Sequence, residues 1–360
     1  MRRLALAFAS GLITLLVLWT ILEVVYRVGS PPSYVSDPTL VPDAALGWNS
    51  APAVQTLPGS GEPVIYLGDS FTQGRQWPVE AQRLLAERGI ATSGANLGVS
   101  GYGTTQAFLK LQQHVDAIKP RAIVLLFFAW NDLRDNFPYP EIYYGPQRTT
   151  RPYLIATPDG PQLLPVRWAS SFDAALLRSE AYLRVFNRAS LAVNARIVQR
   201  WPDLPRSLGW RARLYYEQPV SWQPFYKASD ASASYVQGAY DSTIEAFRRI
   251  RSAADTTRAV LLVIGIDNSF TVDTDDREDF LKPHPELDPS LPMDRMSRLL
   301  GQEGIAFINA QPELAALRVS LGRDVYNGPR GGLAGHLGEE GDRLIGQIAA
   351  RWLATALGNR

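Results

Sequence analysis

Ala122-Ile123-Val124-Leu125-Leu126-Phe127-Phe128 is the stretch that decides the fold. Seven apolar residues run without a polar interruption, bounded by Lys119-Pro120-Arg121 before and by Trp130-Asn131-Asp132 after. A strand with one wet face would alternate; a continuous run this short reads as a strand covered on both faces, as in a parallel sheet flanked by helices. Working outward, Val64-Ile65-Tyr66-Leu67 is a second buried strand ending at Gly68, and Ala95 to Gly98 is a strand end. Ala259 to Ile266 and Ile305 to Ile308 complete a set of five. Helical patterns fall between them, at Val79–Arg88, Thr104–Ile118, Asp241–Ala254 and Met293–Gln302, with Gly341–Leu357 closing the chain. This alternation predicts an α/β fold with a doubly wound, flavodoxin-like, five-stranded parallel sheet in the order 2-1-3-4-5.

The 360 residues hold 46% hydrophobic and 10% aromatic side chains, which supports a folded core rather than disorder. Lys plus Arg number 36 against 35 Asp plus Glu, a balance that argues against a nucleic-acid binder. With no cysteine, disulfides, thiolate metal sites and cysteine nucleophiles are excluded, and three histidines are few for a histidine metal site. No metal and no cofactor are expected.

Arg2 and Arg3 precede a run from Leu4 to Leu22 without a charge, broken first by Glu23. At about 1.5 Å per residue such a helix approaches the ~30 Å hydrocarbon core of a bilayer. Residues 1–29 therefore read as an N-terminal transmembrane anchor, in contact with lipid over residues 4–25. The arginines stay on the cytoplasmic side and the rest of the chain lies on the periplasmic, extracytoplasmic side of the inner membrane. A cleaved signal peptide is the competing reading, but its apolar region is usually shorter and ends in small residues. Residues 30–61, rich in Pro, Gly and Ser, read as a linker in which Leu46-Gly47-Trp48 docks on the domain surface, and 62–360 as the main domain. From about 137 to 228 the alternation stops. This stretch carries Trp168, Trp201, Trp210 and Trp222, with 12 Lys and Arg against 6 Asp and Glu, and helical spacing over Phe172–Gln199. It reads as an inserted cap, with a substrate lid or a basic, lipid-facing surface as the functional alternatives.

Ligands of an open α/β sheet bind outside the carboxyl ends of the strands. Those ends deliver Gly68-Asp69-Ser70-Phe71-Thr72-Gln73-Gly74, then Asn96-Leu97-Gly98-Val99-Ser100-Gly101-Tyr102-Gly103, then Trp130-Asn131-Asp132, then Gly265-Ile266-Asp267-Asn268; His336 lies just before the last helix. A serine nucleophile needs a base within reach and donors aimed at the developing oxyanion. Each of these residues also has an ordinary structural use: a tight turn, a helix cap, a surface loop. The glycine spacing fits neither G-x-G-x-x-G nor a Walker loop.

Taken together, the four blocks resemble the SGNH/GDSL hydrolase family, in the form of its membrane-anchored bacterial members. The resemblance covers roughly residues 62–135 and 230–357. It implies Ser70 as nucleophile, His336 as general base, the Ser70 N–H, Gly98 and Asn131 as the oxyanion hole, and Asp69 as a supporting residue. Two positions depart from the pattern. Ala129 stands where a glycine is common, and Leu333 and Ala334 stand where the triad acid normally precedes the histidine. An acid orients the imidazole and stabilises its cation. Its loss leaves three possibilities: a Ser–His dyad oriented by a backbone carbonyl, a substitute carboxylate, or a dead site. Asp267 is the candidate substitute, because the fourth strand neighbours the fifth and the histidine loop follows the fifth; Asp324 is a weaker one. The reaction expected is serine-dependent ester hydrolysis or O-acyl transfer, on O-acetyl groups of an acylated carbohydrate or polysaccharide. The alternative is a catalytically degenerate scaffold or binding protein in an envelope complex.

Overall fold

The computed structural model describes residues 8–18, 20–21, 40–137, 151–157, 159–165, 223–231, 234–327 and 335–358. Its strands are β1 (Leu40–Asp43), β2 (Gly47–Ser50), β3 (Gln55–Leu57), β4 (Glu62–Leu67), β5 (Thr92–Asn96), β6 (Ala122–Phe128), β7 (Tyr153–Ile155), β8 (Gln162–Leu164), β9 (Val260–Ile266), β10 (Ala306–Asn309), β11 (Tyr326–Asn327) and β12 (His336–Leu337). The helices used below are α1 (Trp77–Glu87), α2 (Thr104–Ile118), α3 (Ala129–Asp135), α4 (Ser234–Thr257), α5 (Thr274–Leu281), α6 (Leu291–Gln302), α7 (Gln311–Leu321) and α8 (Glu339–Gly358).

The central sheet runs β10-β9-β6-β4-β5-β3. Its first five members are parallel and reproduce the 2-1-3-4-5 order, with β6 paired to β4 on one side and to β9 on the other. All seven residues of β6 are buried, as a strand at the centre of a covered sheet requires. Alternate side chains go to opposite faces. Ile65, Ile123, Leu125, Phe127 and Val263 pack under α2, α4 and α6. Val64, Tyr66, Val124, Leu126 and Ile264 pack under α1, α7 and α8. The five parallel strands thus bring their carboxyl ends to one edge.

Three differences from the sequence reading have local causes. The sheet has six strands rather than five, because Gln55–Leu57 pairs antiparallel with β5, Thr56 lying opposite Ala95. The segment 30–61 is therefore not all linker. Within it, β1 and β2 form an antiparallel hairpin, and Leu46 and Trp48 are buried against the loop after β5. The Trp48 indole N–H donates to the Ser100 carbonyl at 2.9 Å, and the Tyr102 hydroxyl donates back to the Trp48 carbonyl at 2.6 Å. Asn131, expected at the end of the third strand, lies inside the seven-residue helix α3.

Of the stretch expected to form an inserted cap, the β7–β8 hairpin and a short 3-10 turn at Gln223–Tyr226 are described; the helix expected over Phe172–Gln199 lies outside the described residues. Residues 8–18 and 20–21 are helical, with Phe8, Ile13, Leu15 and Leu16 exposed. Among the described residues no helix is long and apolar enough to cross a membrane, so the expected anchor is not established.

Candidate active site

At the end of β4 the chain turns sharply at Gly68, whose φ of +146° suits glycine alone. A Cβ there would meet Thr72 Oγ1 and the Leu126 carbonyl. The turn that follows is closed by the Thr72 and Gln73 N–H groups, both donating to the Asp69 carbonyl at 3.0 and 2.9 Å. The Phe71 carbonyl accepts from the Trp77 indole at 2.8 Å, tying the turn to α1. Ser70 sits on this frame, partly exposed, and its Oγ lies 2.8 Å from His336 Nε2. His336 opens β12, which pairs antiparallel with β11, so the imidazole comes from a hairpin beside the sheet edge. The Phe71 ring lies against it, centroid to centroid 4.7 Å. Burial and the neighbouring Arg75 guanidinium hold the imidazole below its ordinary pKa, so Nε2 is neutral and able to take a proton near neutrality.

Asp69 is buried, and its carboxylate makes no hydrogen bond to His336 among the described residues. Its carboxylate accepts from Asn131 Nδ2 at 2.9 Å and from the Phe71 N–H at 2.8 Å. Burial raises its pKa to about 6 despite these bonds. Asp132, also buried, accepts from the Phe128 N–H at 3.0 Å and is pushed upward by burial and by Asp69. Asp69 thus aims Asn131, whose remaining amide hydrogen is left for a ligand. Gly98 behaves differently from the expectation: its N–H donates to Asn96 Oδ1 at 2.9 Å, closing a turn of its own. Its lack of a side chain is what lets the nucleophile turn approach, since a Cβ would fall 2.6 Å from Thr72 Cβ. The two loops are also stitched by Asn96 Nδ2 to the Thr72 carbonyl and by the Ser100 N–H to Gln73 Oε1.

Ser70, His336 and Asn131 therefore converge with Asp69 behind them. Asp267 does not join them. Its carboxylate accepts from the Tyr226 hydroxyl at 2.7 and 2.9 Å and from the Asn268 N–H at 2.8 Å. It reaches the histidine hairpin only through its main chain, the Tyr326 hydroxyl donating to its carbonyl at 2.6 Å. The substitution of Asp267 for the triad acid is thus corrected: Tyr226, from the 3-10 turn Gln223–Tyr226, claims the carboxylate. Asp324 pairs with Arg318 at 3.6 Å. Among the described residues no carboxylate bonds His336, and no group of three His, Asp or Glu could hold a metal.

Burial holds the Asp267 carboxyl up at about 7. Its stabilising contribution is complete below the unfolded carboxyl pKa of about 4 and is lost as pH rises through 7. Asp267→Asn is therefore expected to gain melting temperature relative to wild type as pH goes from 4 to 8. Ester turnover should stay within about threefold. A hundredfold loss of turnover at unchanged stability would restore Asp267 to the catalytic unit.

A profile of the GDSL-like lipase/acylhydrolase family matches residues 66–344, from the strand that delivers Ser70 to the first turns of α8. This chain belongs to that family. Similar solved structures include a lipase/acylhydrolase from Enterococcus faecalis (13% identity, TM-score 0.39, covering 82% of this chain and 97% of that one). Another is an acetyl xylan esterase (12%, 0.39, 81% and 98%). No curated protein matches the chain. Family membership rests on the profile rather than on these superpositions.

Missed by the sequence reading were Phe71, which faces the imidazole, and Arg75 and Asp342, which flank the histidine hairpin. Only proximity in sequence to Ser70 and to His336 marked them.

Proposed function

We propose that the chain is a serine-dependent ester hydrolase or O-acyltransferase acting on O-acyl groups of carbohydrates outside the cytoplasm, held at the inner membrane by its N-terminal apolar run. The observation that carries the reading is the 2.8 Å contact between Ser70 Oγ and His336 Nε2 beside Asn131. In this scheme Nε2 takes the Ser70 proton as Oγ attacks the acyl carbonyl. The oxyanion is met by the Ser70 N–H and the free hydrogen of Asn131 Nδ2. His336 returns the proton to the departing alcohol, leaving an acyl-serine, and water or a sugar hydroxyl then accepts the acyl group through the same base. The two outcomes share every protein group and differ in the acceptor. The location is supported by Arg2-Arg3 ahead of the uncharged Leu4–Leu22 run and by the exposed apolar side chains of the N-terminal helix.

A second reading, a scaffold without turnover, is favoured by the lack of a carboxylate on His336 among the described residues. One experiment addresses both. Intact cells are treated with a membrane-impermeant fluorophosphonate, and the labelled peptide is identified by mass. Label on Ser70 in the membrane fraction, with hydrolysis of a chromogenic acetyl ester by the purified chain, is the expected result. Label only after lysis overturns the location, and no label with no turnover leaves the scaffold.

A further inference from the structure

We propose that Arg75 is a positioning residue that holds His336 on Ser70 in place of a triad carboxylate, by gripping the main chain beside the imidazole. The inference deepens the acyl-transfer reading and rests on it. Arg75 belongs to the same turn as the nucleophile, its N–H donating to the Thr72 carbonyl at 3.3 Å. Its Nη2 donates to the carbonyl of Leu337, the residue after His336. The same Nη2 and the Nε donate to Asp342 Oδ1 at 2.9 and 3.3 Å, and Asp342 Oδ2 accepts from the Gln76 N–H at 3.2 Å. Asp342 is itself fixed at the start of α8, its N–H donating to the Gly338 carbonyl at 2.9 Å, while the Gly338 N–H donates to the Val325 carbonyl at 2.7 Å.

One guanidinium thus fastens three pieces together: the nucleophile turn, the two-residue strand that bears the base, and the helix after it. The planar fork makes this possible, since a lysine could not grip the carbonyl and the carboxylate at fixed angles together. With the Phe71 ring against one side of the imidazole, Nε2 is aimed at Ser70, and among the described residues no carboxylate accepts a hydrogen bond from the ring.

The charge of this clamp is opposite to that of a triad acid, which gives it a signature. A carboxylate beside the imidazole favours its cation; Arg75 disfavours it, and burial acts in the same direction. The other charges on the surrounding elements are committed elsewhere. Asp342 is paired with Arg75, Asp69 faces Asn131, and Asp267 faces Tyr226. Glu339 and Glu340 pair with Arg343 and Arg323 at the surface. His336 therefore stays a free base to lower pH than an unperturbed histidine.

The test uses the full-length chain with Arg75→Met, Arg75→Lys and Asp342→Asn. kcat and KM for a chromogenic acetyl ester are measured against pH, and the His336 ring is titrated by NMR, assigned by its loss in His336→Gln. In Arg75→Met the His336 pKa should rise by about half a unit or more and the acid limb should move up with it. kcat should fall about tenfold or more with KM little changed, because the clamp touches no substrate. Arg75→Lys keeps the charge, so the pKa should stay near wild type while kcat remains low. Asp342→Asn strips the arginine of its counter-charge and should shift the pKa the other way, downward. A merely structural ion pair would lower the melting temperature and leave the His336 pKa in place; that result overturns the proposal. Should Arg75→Met fail to fold, the unmoved pKa with low kcat in Arg75→Lys and the downward pKa shift in Asp342→Asn decide it. Absence of any wild-type turnover overturns the hydrolase reading instead, and the NMR titration still judges the clamp.

Discussion

Alanine at Ser70 is expected to lower kcat/KM for an acyl ester by about 10³- to 10⁴-fold, alanine at His336 by a similar factor, and the double variant by no more than either alone. The non-additivity follows from geometry. Ser70 Oγ and His336 Nε2 share one proton at 2.8 Å, so each is idle without the other. The expected loss sits below that of a full triad because no carboxylate bonds His336 among the described residues, and removing the acid from a complete triad costs about 10⁴. Stability should barely move in Ser70→Ala, since the hydroxyl lies at the rim of the sheet and its loss opens no buried cavity. Parallel turnover and melting measurements check both halves. A Ser70→Ala chain that still turns over ester at the wild-type rate would place the chemistry elsewhere.

The apolar runs of the central strands made the fold legible, because a strand buried on both faces has no polar position to disguise it. Ala122–Phe128 and Val260–Ile266 were readable for this reason, and with them the strand order and the edge where Ser70, Asn131 and His336 meet. β3 was not readable. Two of its three residues are polar, it lies at the sheet edge, and only pairing with Gly94, Ala95 and Asn96 makes it a strand. α3 is too short to show a period, so the sequence marks Asn131 only as a residue at a strand end. The roles of Asp267 and Arg75 depend on partners far along the chain, Tyr226 in one case and Leu337 and Asp342 in the other. Strand order brought Asp267 to the correct edge but could not say which way its carboxylate turned. The buried Arg151 is similar: it pairs with Asp135 at 3.0 Å and donates to the Gly101 carbonyl at 3.1 Å, contacts that no local pattern announces.

Gly98→Ala is expected to reduce turnover by about 10²-fold or more and to lower the melting temperature, although alanine keeps the N–H that glycine had. The cause is space. The new Cβ would lie 2.6 Å from Thr72 Cβ, 2.7 Å from Thr72 Cγ2 and 2.8 Å from the Gln73 nitrogen. None of these atoms can yield cheaply. Thr72 is fully buried, and both its N–H and that of Gln73 are bound to the Asp69 carbonyl. Relief must therefore displace the turn that carries Ser70, and a displacement of about 1 Å at a reacting atom is enough for a loss of this size. Gly74→Ala separates this from ordinary backbone strain. Gly74 has a φ of +64° with nothing within 4 Å of an added Cβ, so alanine there costs about 1 kcal/mol of stability and leaves Ser70 in place. Turnover near wild type in Gly74→Ala and collapsed turnover in Gly98→Ala, with slowed fluorophosphonate labelling of Ser70 in the second, is the expected pair. Equal turnover in the two variants would mean that the loop after β5 does not set the position of the nucleophile.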